Sequence, residues 1–558
     1  MIIGLDVGGT HTDAVLFNDT KIQKKVKITT DPNNLFSTIL FTLDSLLDGI
    51  NTREIKRLVI STTLTTNAIV QKKIAPVAMI VISGPGIDPS FFRTGKHYYC
   101  ASGSINHRGE EKATLDMAQI NNIIQKIKKD KVEYLGITGK FSVRNPVHEI
   151  LIKKKFKNDF KKIFLGHHVS GNLNFPRRIA TTYLNASVFS IHESFFEAVK
   201  KSLEQKNIFV PIKILKADGG TMTLKASMSF PAQTILSGPA ASIIGAIPYS
   251  PLNEDVLVFD IGGTTTDIAC LVNKAPLLEP EGIKIGKYKS LIRSLLTRSE
   301  GIGGDSHVQV ISKELCIGPH RKGPAMAFGG NAATVTDAII VLGLMNKGDS
   351  KKAYIAIKSI ADKLGIDPKK AADKILDKCC FLILKKAFEM IDHLNSKPVY
   401  TVHEFLKGYK ISPDRILLLG GGARYFEKRI KDLYHIQTTT IPEASIANAI
   451  GAALARTTCE VILNADTQQG IVSSYEEAFI EKTPSIYSKQ DLLSTAFHLL
   501  KKKAVSSGDE KEIDDIEVVE MQEFNVVRNF CSQGKLLRTK VQIKPGIIKR
   551  FKNVEITS

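Results

Sequence analysis

Two stretches decide how this chain folds: IIGLDVGGTHTDAVLF, residues 2–17, and VLVFDIGGTTTDIACL, residues 256–271. Each contains D-x-G-G-T-x-T-D between apolar runs, and Asp6 to Asp260 and Asp13 to Asp267 are both separated by 254 residues. Six identities in eight positions at one offset mark an internal repeat. Each apolar run reads as a strand and each Gly-Gly as the turn joining two strands. Two related lobes follow, each opening on such a hairpin.

Between the copies, short apolar strands (57–60, 77–82, 132–137, 163–165, 212–216) alternate with amphipathic helical stretches (35–47, 117–128, 179–205), an α/β pattern. The long 179–205 stretch is placed to bridge the lobes. After the second copy, residues 331–394 read as a helical insertion or cap. The strand 415–419 then runs into Gly420-Gly421-Gly422, and NAIGAALAR, 448–456, is a small-residue helix suited to close packing. Beyond a linker at 506–512, strand-like alternation in IEVVE, EFNVVRNF, KVQIK and IIKRFKNVEI suggests a small, mostly β terminal module.

At ~150 residues per domain, 558 residues can bury several cores without staples. Seven scattered cysteines without a CxxC pair argue against a disulfide scaffold or structural zinc. The net charge of +20 raises nucleic acid as a partner, but the cations are mostly dispersed and the basic tail lacks the aromatic interleaving that stacks bases, so none is expected. No run reaches the roughly 18 apolar residues of a membrane span, and Asp6 sits where a signal peptide would be apolar. No membrane partner and a cytoplasmic location are therefore expected.

The hairpins have a phosphate logic. Gly8, Gly9, Gly262 and Gly263 let backbone N–H groups approach anionic oxygens, and Thr10, Thr12, Thr264, Thr265 and Thr266 add hydroxyls. Asp6 and Asp260, ending the incoming strands, would repel phosphate unless a cation lay between, so each is assigned to hydrated Mg²⁺ or to a nucleophilic water. Asp13 and Asp267 would brace the hairpins. In STTLTTNAIV, Thr65 and Asn67 offer polar groups to a ligand, the plain alternative being a helix start capped by Thr65 or Thr66. Ser237 and Gly238 open a helix whose N–H groups, at Ala240 and Ala241, suit an anion or carbonyl; an ordinary cap by Ser237 is the alternative. His148-Glu149 is no metal pair by spacing, and His167-His168 is expected to place one ring on each face of the chain.

Together these residues resemble the actin, sugar kinase and 70-kDa heat-shock superfamily of ATPases, and within it the hydantoinase A and oxoprolinase family. The resemblance spans roughly residues 1–456. It rests on both hairpins, STTLTTNAIVQKK (61–73), FSVRNPVHE (141–149), ILSGPAAS (235–242), GIGGDSH (301–307) and FGGNAATVTDAIIVLG (328–343). It implies an α/β, two-lobed actin-like fold: a first lobe over 1–205, a second over 206–460 with the insertion, and the C-terminal module over 461–558. It implies ATP and Mg²⁺ as cofactors, nucleotide contacts from Gly303 and Gly304 in a turn leading to a helix HVQVIS, and an adenosine turn at Gly420, Gly421 and Gly422. It also implies a substrate contact at His148. Where the family ends its ATP lobe with an FGGAGP-like turn, this chain has LGGGARYF. The implied activity is ATP-dependent opening or carboxylation of a small carbonyl or cyclic amide compound, beside a B-type subunit, with a homo-oligomer left open. A small-molecule kinase and a nucleotide-switch activator are the alternatives.

Overall fold

Both repeats fold into antiparallel hairpins of one register. Ile2–Val7 pairs with His11–Asn18 and sets Asp6 opposite Asp13, while Asp255–Ile261 pairs with Thr266–Val272 and sets Asp260 opposite Asp267. One backbone bond closes each tip, from Gly8 N–H to His11 O and from Gly262 N–H to Thr265 O, both 2.9 Å. All six residues of Ile2–Val7 are buried, as expected of a strand covered on both faces. The computed structural model describes residues 1–31, 33–279, 281–396, 409–484, 486–507, 515–528 and 530–551.

The repeat extends from the hairpins to whole sheets. In one, the spatial order is Lys21–Thr29, His11–Asn18, Ile2–Val7, Arg57–Thr62, Ile212–Leu215, Thr221–Thr223; in the other it is Ala275–Pro276, Thr266–Val272, Asp255–Ile261, Arg415–Leu419, Gln437–Thr440. Each begins with three antiparallel strands and continues with two parallel ones. Thr297–Glu300 also pairs with the outer strand of the second hairpin. Residues 212–223, assigned from sequence to the second lobe, are thus hydrogen-bonded into the first sheet. The helix Phe175–Gln205 touches several parts of the chain: its Phe195, Phe196, Val199 and Leu203 pack under the first sheet, its earlier turns pack on a parallel sheet containing Val77–Ile82 and Tyr134–Gly139, and its Arg177 and Thr181 bond Glu281 O and Leu291 N in the segment that follows the second hairpin.

Two helices, Ser237–Ala246 and Ala447–Leu454, share one core with Val15 and Phe17 of the first sheet and Val256, Val258 and Leu417 of the second. Small residues let the backbones touch. A side-chain carbon at Gly451 would lie 1.8 Å from Ala241 O, and one at Gly245 would lie 2.3 Å from Ala447 O, both impossible contacts.

The insertion consists of helices Val335–Val341, Ser350–Leu364 and Pro368–Ser396, packed on Leu257, Phe259, Ile416 and Leu418 of the second sheet, with Cys379 and Cys380 in that core. Its entry is a capping box: Thr334 Oγ1 accepts from Asp337 N while buried Asp337 accepts from Thr334 N. The C-terminal part is a five-stranded sheet of Glu460–Asp466, Ile471–Ser474, Phe479–Lys482, Ile516–Arg528 and Cys531–Ile543 covered by helix Lys489–Ser506. The expected 506–512 linker starts with the end of that helix, and residues 508–514 lie outside the described residues. The last expected strand is corrected: Lys549–Phe551 is a 3₁₀ turn, with 552–558 outside the described residues. No helix among the described residues is long and apolar enough to cross a membrane.

Candidate functional site

The two touching helices carry the residues that join the hairpins. Asn448 Nδ2 donates to Asp6 Oδ2 (3.2 Å), and Ser242 Oγ lies 2.6 Å from Asn448 Oδ1 and 2.5 Å from Asp260 Oδ2. Asp6 and Asp260 are therefore linked through one amide, one hydroxyl and three hydrogen bonds, a path on the order of 10 Å that sets the upper limit of their separation. The glycine tips Gly9, Thr10, Gly262, Gly263 and Thr264 are exposed beside them.

Four carboxyls gather here. Burial lifts Asp6 to about 6, with the charge of Asp13 adding to it. Burial also raises Asp13 and Asp260, the former opposed by Lys27, whose Nζ lies 2.9 Å from Asp13 Oδ2. Asp267 is pushed up to about 7 by burial and by Asp260. Asp6 Oδ1 and Asp267 Oδ1 are buried without a well-formed hydrogen bond among the described residues, the Ser61 and Ser299 hydroxyls nearby only partly offsetting the effect of burial. Orphaned carboxylate oxygens among mutually repelling acids fit a divalent cation. No group of three or more His, Cys, Asp or Glu side chains among the described residues forms a metal cage. Mg²⁺ asks for less than a cage, taking one or two carboxylates and filling its remaining positions with water and phosphate.

The glycine turns divide by role. Gly303 and Gly304 back the second tip: Gly304 N–H donates to Gly262 O at 3.0 Å, and a carbon on Gly303 would lie 2.5 Å from the same oxygen. Gly420, at φ +94°, faces Ile261 O and the Asp260 carboxylate, where a side chain would sit 2.4 Å and 2.8 Å away; Gly421 is open. Two of the threonine hydroxyls face inward rather than to the tips. Thr12 Oγ1 pairs with Thr30 Oγ1, and Thr266 Oγ1 donates to Ile302 O. HVQVIS is not a helix: Val308–Ile311 pairs with Glu314–Ile317, since alternating β-branched residues favour a strand.

Of Thr65, Asn67, Ser237 and Gly238, Asn67 reaches the first hairpin, while Ser237 and Gly238 meet Thr62 and Thr63 at the end of the adjacent strand. A carbon on Gly9 would meet Asn67 Nδ2 at 3.1 Å, and one on Gly238 would meet Thr63 Cγ2 at 2.8 Å. Helix Leu64–Val70 is capped by neither Thr65 nor Thr66; Thr63 holds the cap position, Thr65 pairs with Thr234, and Thr66 accepts from Leu236 N. Ser237 does not cap its helix but donates to Thr62 O, and Ala240 N–H is bonded to Leu236 O rather than free. His148 is not brought to the hairpins. It is buried against Glu111, with Nε2 2.8 Å from Glu111 Oε1. Its neighbour Glu149 binds His167 Nδ1 at 2.6 Å, while His168 stacks on Phe230.

Sequence reasoning missed Ser242 and Asn448. Ser242 ends a stretch read for its first turn alone and Asn448 opens one read only for packing, and an isolated polar residue on a helix of Gly and Ala is the trace that could have singled them out.

Residues 178–461 match the Hydantoinase/oxoprolinase family, and residues 2–160 match the Hydantoinase/oxoprolinase N-terminal region. An uncharacterised protein of Methanocaldococcus jannaschii is 24% identical over 534 residues, 87% of this chain and 76% of that one. The caprolactamase subunit alpha of Pseudomonas jessenii is 25% identical over 422 residues, 67% of this chain and 60% of the subunit, so the match spans less than two thirds of that relative. The crystal structure of ATP-dependent caprolactamase from the same organism superposes with a TM-score of 0.74 at 18% identity, covering 99% of this chain and 88% of that one. That superposition shows a shared fold.

Proposed function

Because the chain belongs to the hydantoinase/oxoprolinase family, we propose that it couples ATP cleavage to the activation and opening of a small cyclic amide or related carbonyl compound. One observation carries this reading: two glycine-tipped hairpins of identical register turn their buried aspartates toward each other across a single amide and hydroxyl. Such an arrangement offers anionic oxygens two sets of backbone donors and a pair of carboxylates for the accompanying cation.

Mg·ATP supplies the phosphoryl group that makes a carbonyl oxygen a leaving group. The chain's own part is positional. Gly8, Gly9, Gly262 and Gly263 keep side chains away from the phosphate oxygens, with Thr10 and Thr264 as exposed donors. Asp6 and Asp260 hold the cation or orient water, and Asp13 and Asp267 brace the strands behind them. Gly420–Gly422 form the approach for adenosine. A cavity of about 760 Å³, lined by Leu342, Lys347, Arg424 and Tyr425 among others, starts two residues beyond that turn. Thr65, Asn67, Ser237 and Gly238 are assigned to the substrate side of the first hairpin. We place the change of lobe after Thr223, where the first sheet ends, and the terminal module from Glu460. A B-type subunit is the proposed partner.

The test is ATP hydrolysis by the purified chain, with and without a B-type subunit, in the presence of lactams, 5-oxoproline, hydantoins or ketones with bicarbonate. The expected products are free phosphate and a ring-opened or carboxylated acid. A phosphoester product would identify a kinase instead, and stimulation by a protein partner without any metabolite would identify a switch.

A further inference from the structure

We propose that Ser242 and Asn448 are positioning residues: together they form a side-chain strap that fixes the spacing and orientation of the Asp6 and Asp260 carboxylates across the two sheets. Its consequence for nucleotide binding rests on the ATP reading above; its existence does not.

The geometry is continuous. One amide spans the gap, its Nδ2 toward Asp6 and its Oδ1 toward Ser242, and the hydroxyl completes the path to Asp260. Turning the amide over would place an acceptor against the Asp6 carboxylate, so its orientation is set by the charge it meets. A third contact of Ser242, to Gly238 O, is 3.4 Å long and weak beside the other two.

The strap is anchored on supports that cannot drift. Ser242 is 1% exposed, and it follows Ala241, whose carbonyl is the point of backbone contact with Gly451. Asn448 follows Ala447, whose carbonyl faces Gly245. Each strap residue therefore sits one position from a place where the helices touch, and the strap cannot lengthen without opening a close-packed crossing.

The hydroxyl has one proton and, beside the long contact to Gly238 O, two close acceptors. Donated to Asp260, it leaves Asn448 Oδ1 without a donor. Donated to Asn448, it polarises the amide and strengthens the bond from Nδ2 to Asp6. Were Asp260 engaged elsewhere, the Ser242 proton would turn to Asn448, and occupation of one hairpin would tighten the grip on the carboxylate of the other. This gives a two-setting element of the kind that energetic coupling between sites requires.

The experiment is a double-mutant cycle on the full chain with Ser242→Ala, Asn448→Ala and the double variant. Mg·ADP binding is read by calorimetry, and urea unfolding is followed without ligand. Both substitutions only remove atoms, so the helix crossing is preserved. Each single variant is expected to weaken Mg·ADP binding about 10-fold, and the double variant about 10-fold as well, because either cut severs the same path. Unchanged affinities, or single losses that multiply in the double variant, would overturn the strap. If the wild-type chain binds no Mg·ADP, the ATP reading falls, and the unfolding cycle decides the strap alone. Stability losses smaller together than the sum of the singles then support it, and strict additivity refutes it.

Discussion

The two hairpins share eight residue positions, a tip hydrogen bond and a register, yet their inner aspartates are held differently. Asp13 faces Lys27 on the neighbouring strand and pairs with it. At the equivalent place Asp267 faces Ser299, and its carboxyl is driven up to about 7. The difference lies in the adjoining strand, which the repeat does not include. A duplicated motif thus reproduces backbone geometry faithfully, while its charge state is set by whatever strand the lobe places beside it.

The largest expected effect tests whether both hairpins serve the chemistry. Asp6→Ala and Asp260→Ala should each lower substrate-stimulated ATP turnover by at least ~10²-fold with far-ultraviolet circular dichroism unchanged. Near-normal turnover in one of them would confine the chemistry to a single lobe.

The next effect concerns pH. A carboxyl raised from 3.8 to about 7 keeps its proton in the folded chain where the unfolded chain has released it, so its contribution to stability is present below about 4 and is lost as pH climbs to about 7. Asp267→Asn should flatten this dependence in the ligand-free protein and stabilise it at pH 8 by roughly 1 to 2 kcal/mol, a figure discounted because part of the residue reaches solvent although its Oδ1 is buried. Thermal unfolding at pH 5 and pH 8 measures it; an unchanged slope rejects the unpaired state of Asp267.

Smaller effects come from exchanging the neighbours. Ser299→Lys should supply the second hairpin with the cation of the first, lowering the Asp267 pKa and raising the melting temperature at pH 8. Lys27→Met should do the reverse to Asp13. Each is expected to shift stability by about 0.5 to 1 kcal/mol, since the Lys27 side chain is 41% exposed and water screens the pair. Melting curves of equal midpoint for wild type and both variants would mean that the cross-strand residue does not set the difference.

Both hairpins, the insertion and the strand Arg415–Leu419 were legible in the sequence because periodicity and turn chemistry are local. Pairing was less so: that Ile212–Leu215 joins the first sheet depends on a partner more than 150 residues earlier, which no local pattern encodes. GIGGDSH was read correctly as a turn and wrongly as a helix entry. Helix Lys489–Ser506 was missed although Ser488 and Asp491 form a capping box at its start, a signal present in SKQD. Of the site, the carboxylates and glycines could be named in advance, but Ser242 and Asn448 could not. Their contacts join positions 206 and 442 residues apart, and neither side chain has a motif of its own.

Where Ser237–Ala246 crosses Ala447–Leu454, backbone meets backbone at two points, Ala241 O against Gly451 and Ala447 O against Gly245. At those points the thickness of the main chain, and not the length of any side chain, sets how near the two helices come. The span between the hairpins is thus gauged by the one dimension of a protein that substitution elsewhere does not change.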